Sequence, residues 1–371
     1  MPPLQVRRWT AQEFLANRAA WQRLLASSDA DPLFMSWDWL TTWWRHHAAL
    51  LRADLCVLAV YSADDELCAI APLYTHRAVH RGLFAVRRYE LLGNAWRNSV
   101  AIFSEYLDVI AQRERRGVAC AALRDWLIAG EEWDELVLCN VRADSVAARL
   151  GTELGNHYHL RAVEPMHGWS VALPESFEAF TAQLSSNTRR KVFNQREKLV
   201  AASCETTQPA QRTAALERLE AFVARRWGAP AGAGNLRARF HADLVQRGAD
   251  DGVARLTELR AGGHCISVML NLRVDGAEYY LQSGFDEDQA SGISPGYLHL
   301  GYAIEAACRA GIRRFDFLAG RGLNRDYKQD FAAVSTPLIC LHIVKQPMLR
   351  ALFRAFDRLG GHTSHTAWLE G

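Results

Sequence analysis

Long apolar runs are missing from this chain of 371 residues, and so is any large excess of charge. No stretch reaches about 18 consecutive apolar residues, so the sequence predicts no membrane-spanning helix. The opening residues, MPPLQVRRWTAQEF, lack the apolar centre and the small-residue cleavage site of a secretory signal, and a cytoplasmic location is expected. A net charge of +2 is far less basic than duplex nucleic-acid binders usually carry, so no such partner is expected.

Cysteine and histidine motifs are also missing. The eight cysteines are scattered without a CxxC pair, and most lie inside apolar runs such as LVLCNV and LICLHI. This pattern predicts buried, reduced thiols rather than a disulfide framework or a zinc site. His46, His47, His362 and His365 have no cysteine or carboxylate at metal-ligand spacing, so no metal is expected.

Length and composition favour two folded domains. Apolar residues make up 49% of the chain, which is enough for a full core and excludes global disorder. At roughly 100–200 residues per domain, the length suggests two domains, and the strand and helix pattern restarts around 157–175. We predict an N-terminal unit at 1–165, a C-terminal unit at 166–346, and an amphipathic helix and tail at 347–371.

Local signals place most elements. Thr10 followed by Glu13 predicts a capping box for a helix at 9–29, and Ser36 predicts the N-cap of an aromatic-rich second helix. The segment 76–98 is expected to be an arginine-rich loop. Further strands are predicted at 55–61, 67–75, 107–110, 135–139, 169–173, 253–260, 264–273, 278–284, 314–318 and 336–344. Further helices are predicted at 114–129, 143–155, 176–183, 185–202, 212–226, 235–248 and 295–310.

Residues 282–311, QSGFDEDQASGISPGYLHLGYAIEAACRAG, place a polar, glycine-containing loop between a strand and an amphipathic helix. A helix N-terminus offers unpaired N–H groups and the positive end of the helix dipole, and glycine lets an anion approach the backbone closely. This loop could therefore hold a pyrophosphate. It matches neither GxGxxG nor GxxxxGK[ST], so an ordinary strand-to-helix connection is the alternative.

Four segments together resemble the GNAT superfamily of acyl-CoA N-acyltransferases, and more closely the acetyltransferase family associated with cellulose and exopolysaccharide biosynthesis. They are SSNTRRKVFNQREKL, YYLQSGFD, SPGYLHLGYAI, and FDFLAG with the later DYKQDF; FMSWDWLTTWWRHH is similar to the opening of the same family. The resemblance spans roughly residues 30 to 345. That family is related to the Fem-type peptidyl transferases, which implies an α/β (α+β, mixed-sheet) fold with two tandem GNAT-like units.

The resemblance implies an N-acyltransferase that uses acetyl-CoA as co-substrate and a sugar or cell-envelope precursor as acceptor. One departure stands out: the superfamily's pyrophosphate signature is Q/R-x-x-G-x-G/A, whereas this chain has Ile293-Ser-Pro-Gly-Tyr297. Binding of acetyl-CoA does not follow from the resemblance alone. The alternatives are a Fem-type aminoacyl transferase that uses charged tRNA and a non-catalytic scaffold of polysaccharide synthesis.

Direct acyl transfer to an amine needs a base and a hydrogen-bonding environment for the oxyanion and the leaving thiolate. Asp316, inside the apolar strand RFDFL, is a candidate base or amine anchor, because a buried carboxylate is costly unless paired; a structural pair with Arg313 or Arg321 is the alternative. Tyr327 is a candidate acid for the thiolate, or simply packs on the sheet.

Further candidates lie around the loop. Gln282 and Asp286 are candidate catalytic residues, and Asp286 could instead cap the turn; Ser283 is a candidate for acceptor binding. Lys328 could hold a phosphate or be a solvated lysine. The candidate cofactor-binding residues are Gly292, Ser294, Gly296, Tyr297 and Lys328.

Three surfaces have two or more interpretations. The basic segment with Arg189, Arg190 and Lys191 could grip a phosphorylated acceptor or CoA, contact tRNA, or be a solvated helix face. The tryptophans could stack on a sugar but more often form a core; they are Trp37, Trp39, Trp43 and Trp44. The amphipathic helix at 347–359 could dock on its own domain or contact a membrane or a membrane protein.

Overall fold

The computed structural model describes residues 4–80, 82, 84–97, 102–130, 132–228, 235–248, 251–286, 292–319 and 325–358. They form two compact units. Unit 1 comprises the described residues of Met1–Met166 and Pro337–Gly371. Unit 2 comprises the described residues of His167–Thr336. The last strand and the C-terminal helix thus belong to unit 1, whereas the sequence analysis gave 336–344 to the second unit and treated 347–371 as a separate segment. The pairing that decides this links residues about 200 positions apart, which a sequence pattern cannot show.

The regular elements follow the predicted order closely. The strands are β1 (Gln5–Arg8), β2 (Asp54–Tyr61), β3 (Leu67–His80), β4 (Phe84–Leu91), β5 (Ile110–Ala111), β6 (Glu135–Arg142), β7 (His159–Ala172), β8 (Ser203–Thr206), β9 (Ala254–Ala261), β10 (His264–Val274), β11 (Ala277–Phe285), β12 (Arg314–Asp316) and β13 (Val334–Val344). The helices are α1 (Ala11–Ala16), α2 (Arg18–Ala26), α3 (Trp37–Leu51), α4 (Arg116–Ala129), α5 (Val146–Gly155), α6 (Phe177–Ala182), α7 (Ser186–Val192), α8 (Arg212–Trp227), α9 (Leu236–Gly248), α10 (Pro295–Arg309) and α11 (Pro347–Arg358).

In unit 1 the strands lie in the order β1-β2-β3-β4-β6-β13. β4 and β6 are parallel, while β1–β2, β2–β3, β3–β4 and β6–β13 are antiparallel. The core holds Trp39 and Trp43, whose indole N–H groups donate to Ser104 Oγ at 2.7 Å and to the Ile102 carbonyl at 2.8 Å. The core interpretation is therefore confirmed for these two tryptophans.

In unit 2 the end of β7 begins a sheet that continues β12-β11-β10-β9-β8. β11 and β12 are parallel, so they need a crossover connection, which α10 provides. Phe180, Val192, Ile304 and Phe315 belong to the core between α6, α7, α10 and the sheet. The sheet is thus mixed, as the resemblance implied.

Three predicted elements differ in detail. The capping box at Thr10 is present, but the first helix is interrupted at Asn17. The segment 76–98 is largely a β-hairpin rather than a loop, because β3 runs to His80 and pairs with β4. The basic helix predicted at 185–202 ends at Val192 and continues as a 3₁₀ segment, Asn194–Lys198.

One cysteine pair contradicts the expectation of reduced thiols. Cys139 and Cys340 form a disulfide, although 201 residues separate them. The antiparallel pairing of β6 with β13 brings their Cα atoms to 3.8 Å, a proximity that no spacing motif announces. The other six cysteines are free.

The apolar face of α11 is used inside unit 1. Leu349 and Phe353 are buried in a cluster with Val86 and Val344. Asp357 of the same helix accepts a hydrogen bond from His159 Nε2 at 2.8 Å. The described part of α11 is thus docked on its own unit. Within the described residues, no helix combines the length and apolarity needed to cross a membrane.

Candidate functional site

The parallel strands β11 and β12 pair over only a short length. Ala277–Tyr279 lie opposite Arg314–Asp316, after which β11 continues to Phe285 while β12 has ended. β11 also carries a bulge: Leu270 of β10 faces Gln282, but its neighbour Asn271 faces Tyr280, so Leu281 has no partner on β10. A bulge bends and twists a strand. The second half of β11 therefore offers a backbone edge that the described part of β12 does not cover.

The bulge also changes which side chains meet. Residues 280 and 283 of a regular strand would point to opposite faces, because side chains alternate. Here the extra residue puts them on one face, and the Tyr280 hydroxyl and Ser283 Oγ form a hydrogen bond. Gln282 Nε2 donates to the Ser283 carbonyl at 3.1 Å. Of the strand candidates, Ser283 is thus paired with a tyrosine that the sequence analysis did not single out.

The chain turns sharply where β12 ends. Asp316 is only 1% exposed, and its Oδ1 accepts a hydrogen bond from the Leu318 N–H at 2.9 Å. Leu318 has a φ of +59°, a left-handed conformation that non-glycine residues seldom adopt. Lys328 Nζ donates to the Leu318 carbonyl. Asp316 and Lys328 therefore both hold the turn that directs the chain away from β11.

These contacts decide between some of the alternatives. Lys328 is 2% exposed, so it is not the solvated lysine that was considered. Arg313 donates to the Asp275 carbonyl at 3.4 Å rather than to Asp316. Arg321, the other arginine considered as a partner of Asp316, lies outside the described residues.

The N-terminus of α10 follows the end of β11. Ser294 is the N-cap, Pro295 opens the helix, and the first hydrogen bond is donated by Leu298 to the Ser294 carbonyl at 3.0 Å. The Ser294 side chain makes no capping bond in the structure as described. The N–H groups of Gly296 and Tyr297 thus belong to the first turn, where intrahelical partners are lacking and negative charge is favoured.

Gln195 holds the loop before α10 and is a residue that the sequence analysis missed. Its Nε2 donates to the Gly292 carbonyl at 3.3 Å, and its Oε1 accepts from the Ser294 N–H at 3.1 Å. Gly292 itself has a φ of +76°, which favours glycine. The sequence shows only a glutamine within a basic segment, and this pattern indicates neither its burial nor its partner.

Aromatic side chains gather beside the start of α10. Tyr297 stacks on Phe331 at 5.4 Å and meets Tyr327 edge-on at 6.3 Å, and its hydroxyl donates to Asp330 Oδ2 at 2.8 Å. Burial raises the pKa of Tyr327, and the nearby Tyr280 and Tyr297 raise it further. Burial and then Asp330 likewise raise the pKa of Tyr297. Both phenols therefore keep their protons at neutral pH.

The three basic candidates have different surroundings. Lys191 Nζ lies 4.7 Å from the ring centre of Tyr297, so one positive charge stands near the α10 N-terminus. Arg189 donates to the carbonyls of Thr181 and Leu184, at 3.1 and 3.2 Å, and so satisfies the end of α6. Arg190 is exposed and donates to Asn187 at 3.0 Å. The three residues therefore do not form one binding surface: only Lys191 of the three lies beside Tyr297, at the start of α10.

At the other end of the loop, Asp286 Oδ1 accepts from Arg225 of α8 at 3.2 Å. Its backbone N–H donates to the Ile266 carbonyl at 2.9 Å and closes the strand. Asp286 thus joins the end of β11 to α8 through its side chain and to β10 through its backbone. Residues 287–291 lie outside the described chain.

Behind α10, a buried histidine joins the helix to the sheet. His299 Nδ1 is 2.8 Å from Ser267 Oγ, and its Nε2 is 2.9 Å from Thr257 Oγ1. Ser267 in turn donates to the Gly284 carbonyl at 3.1 Å, so His299 Nδ1–H must donate to Ser267 and Nε2 must accept from Thr257. Burial lowers the pKa of His299 to about 3. The helix is thereby tied to the three strands β9, β10 and β11.

Comparisons with known proteins agree with this geometry. Residues 186–329 match the family model of an acetyltransferase (GNAT) domain. No curated protein matches significantly. Among solved structures, FemX has a TM-score of 0.62 at 10% identity, over 94% of this chain and 99% of that chain. A conserved protein of unknown function from Bacteroides thetaiotaomicron has a TM-score of 0.57 at 12% identity, over 92% and 100%. The C-terminal domain of a putative lysylphosphatidylglycerol synthetase from Agrobacterium fabrum has a TM-score of 0.53 at 10% identity, over 94% and 98%.

The matched residues include most of those that build this site. They begin at α7, include β11, α10 and β12, and end beside Lys328. At these identities the solved structures establish a shared fold and nothing further. The described residues contain no group of histidine, cysteine, aspartate or glutamate arranged to hold a metal. Residues 186–329 therefore match a GNAT acetyltransferase domain, and the chain as a whole is similar in fold to FemX.

Proposed function

We propose that the protein transfers an acetyl or other short acyl group from acyl-CoA to an amino group of a sugar or cell-envelope precursor. Two observations carry this proposal: the open first turn of α10, and the second half of β11, with which the described part of β12 does not pair. The helix end suits a pyrophosphate, and the uncovered edge of β11 suits an extended arm that contains amide groups. Acyl-CoA contains both a pyrophosphate and an extended arm with amide groups.

The donor would be held by few residues. The N–H groups of Gly296 and Tyr297 would bind the pyrophosphate, with Gly292, Ser294 and Gln195 fixing the loop conformation. Lys191, above the Tyr297 ring, would add positive charge. Lys328 is buried on the Leu318 carbonyl, so we assign it to the turn after β12 rather than to a phosphate.

The reaction would be a direct attack of a neutral amine on the thioester carbonyl. A C–N bond forms, the C–S bond breaks, the amine loses a proton and the thiolate gains one. Asp316 would accept the amine proton, and Ser283, Gln282 and Asp286 would orient the acceptor. Because its pKa is raised above that of a thiol, Tyr327 would stabilise the thiolate mainly as a hydrogen-bond donor, and the net proton would come from the amine.

An aminoacyl-tRNA donor is the second candidate, and the structural similarity to FemX favours it. The resemblance to Fem-type enzymes implies such a donor, and the exposed guanidinium of Arg190 could contact a phosphate backbone. The basic segment has few exposed aromatic residues, with Phe193 the main one, which gives little platform for stacking single-stranded RNA.

Calorimetric titration separates the two donors. Acetyl-CoA and CoA are titrated into the full chain at two salt concentrations, followed by total tRNA. Micromolar binding of acetyl-CoA supports the proposal. Salt-dependent binding of tRNA with no binding of acetyl-CoA would contradict it and support the aminoacyl transferase, and binding of neither would contradict both.

A further inference from the structure

Unit 1 contains a cavity of about 290 Å³ that the proposed acyl-transfer reaction does not use. It opens beside the N-terminus of α5 and the segment before β5. A cavity of roughly 300 Å³ is at the lower end of the range for small-molecule sites. Six charged residues line it: Asp29, Asp31, Asp108, Asp144, Arg116 and Arg142.

Asp108 is the deeply buried member of this set, with 7% of its surface exposed. Its Oδ1 accepts hydrogen bonds from the backbone N–H groups of Val109 and Ala147, both at 2.7 Å. Both bonds end on Oδ1, the N–H group of Val146 also faces the carboxylate, and no charged side chain of the described residues donates to Oδ2. Burial raises the pKa of Asp108 to about 7, against the opposing effects of the N–H groups of Ala147, Val109 and Val146 and of the Arg142 charge. A largely buried carboxylate that lacks a charged partner is stabilised by a positively charged hydrogen-bond donor.

The two arginines of the lining do not supply that donor. Arg142 donates through Nε and Nη2 to Asp144, at 2.9 and 2.6 Å. Arg116 Nη1 donates to Asp29 at 3.0 Å. Four carboxylates against two guanidinium groups leave the lining net negative when all are ionised, so the cavity favours a cation.

A metal ion is not the cation that fits. Across the part of the chain that the structure describes, no three carboxylate, histidine or cysteine side chains converge as metal ligands would. The lining also includes apolar side chains, among them Leu107 and Val146, which suit a carbon skeleton rather than a hydrated ion. The remaining chemistry is that of a small organic cation.

We propose that this cavity binds a small molecule with a primary ammonium group, which donates a hydrogen bond to Oδ2 of Asp108. The carbon skeleton of the molecule lies against Leu107 and Val146, and Arg142 and Asp144 form the rim. The site shares no residue with the acyl-transfer site, so this proposal and the proposed function stand or fall separately.

The test compares amines with uncharged analogues of the same shape. Cadaverine, ethanolamine and glucosamine, with 1,5-pentanediol, ethylene glycol and glucose as the respective neutral controls, are titrated calorimetrically into the full chain at pH 7.5. At least one amine is expected to bind, and its neutral analogue at least tenfold more weakly. Failure of all three amines to bind, or equal affinity for an amine and its neutral analogue, overturns the proposal.

Variants locate the binding in the cavity. Asp108→Asn keeps the shape and the oxygen that accepts the two N–H groups but removes the charge, so at least a tenfold loss of amine affinity is expected. Asp125→Asn removes an exposed carboxylate of α4 outside the cavity and should leave affinity unchanged. Acetyl-CoA titration of the same variants is the readout of the proposed function and is expected not to change.

A second variant guards against failure of Asp108→Asn to fold. The Asp144 side chain is 69% exposed, so Asp144→Asn should fold normally. It removes one rim carboxylate and releases the guanidinium of Arg142, so the amine should bind at least threefold more weakly. Full amine affinity in Asp144→Asn, together with full affinity in any folded Asp108→Asn, overturns the proposal.

Discussion

At the scale of single residues, a few side chains shape the gap beside β11. Leu281 is the extra residue of the bulge and brings Tyr280 onto the same face as Ser283. Asp316 and Lys328 both bond to the backbone of Leu318 and hold the left-handed turn that ends β12. Asp316 therefore holds this turn, and a substitution that keeps the turn separates its structural role from the proposed catalytic one.

Replacing Gly296 by aspartate tests the donor site. The carboxylate would stand in the first turn of α10, where it would repel a bound pyrophosphate, and we expect at least a tenfold loss of acetyl-CoA affinity by calorimetry. Gly296→Ala is the matched control, because its Cβ would meet only the movable ring of Phe285, at 3.1 Å. Affinity within about threefold of wild type is expected for alanine. If aspartate binds acetyl-CoA as tightly as alanine does, the loop does not hold the pyrophosphate.

Replacing Asp316 by asparagine tests the proposed base. The amide oxygen of asparagine can still accept the Leu318 N–H, so the turn and the donor affinity should persist. We expect turnover to fall by about 100-fold or more, the usual scale for loss of a general base, with a change in acetyl-CoA affinity below about threefold. Steady-state kinetics and calorimetry on one preparation measure both. Unchanged turnover would make Asp316 a purely structural residue.

At the scale of elements, α10 is fixed on two sides. Gly301 lets it approach α7 so closely that an added Cβ would lie 2.3 Å from the Val192 carbonyl oxygen. On the sheet side, His299 links it to Thr257 and Ser267. The position of the helix N-terminus thus depends on packing along its whole length.

Gly301→Ala is expected to destabilise unit 2 because the clash is with backbone, which cannot rotate away. The expected loss in the free energy of unfolding is about 2–3 kcal/mol, from urea titration followed by circular dichroism. Gly117→Ala in α4 is the control, since its Cβ would contact only the flexible end of Arg149, at 3.4 Å, and alanine favours a helix. Equal stability of the two variants would contradict the close contact between α7 and α10.

At the scale of the whole molecule, each unit buries polar groups that titrate abnormally. In unit 1, Glu135 accepts hydrogen bonds from Arg88, His80 and His342, and despite its burial Arg88 and His342 hold its pKa well below the usual range. Burial lowers the pKa of His342 to about 4, although the negative charge of Glu135 and its hydrogen bond act to raise it. These groups stabilise the fold only in one protonation state, which links stability to pH.

Stability should therefore fall on acidification. His47, His299 and His342 have folded pKa values of about 4, 3 and 4, below the ordinary value of about 6.5. Below pH 6.5 the unfolded chain takes up protons that the folded chain does not, so the stabilisation present above pH 6.5 is lost as the pH falls toward 4. Between pH 7 and 5 the expected loss is about 2 kcal/mol for each histidine.

Urea titrations at pH 7 and pH 5 measure this loss. His299→Gln should reduce the pH-dependent part by about 2 kcal/mol, because glutamine does not titrate. His264→Gln, at an exposed position, is the control and should leave the pH dependence as in wild type. A pH dependence that is the same in His299→Gln and wild type would contradict a buried neutral His299.

The sequence by itself determined the features that depend on local chemistry. Capping at Thr10 and Ser36, the strand–loop–helix connection at 282–311 and the mixed α/β order follow from periodicity and turn residues close together in the chain. The tertiary structure decided the pairing of β6 with β13, the disulfide Cys139–Cys340, the clasp of Gln195 on the loop, and the burial of Asp108 in a cavity. Each joins segments far apart in sequence, and strand register, bulges and cavities exist only once partner elements have packed.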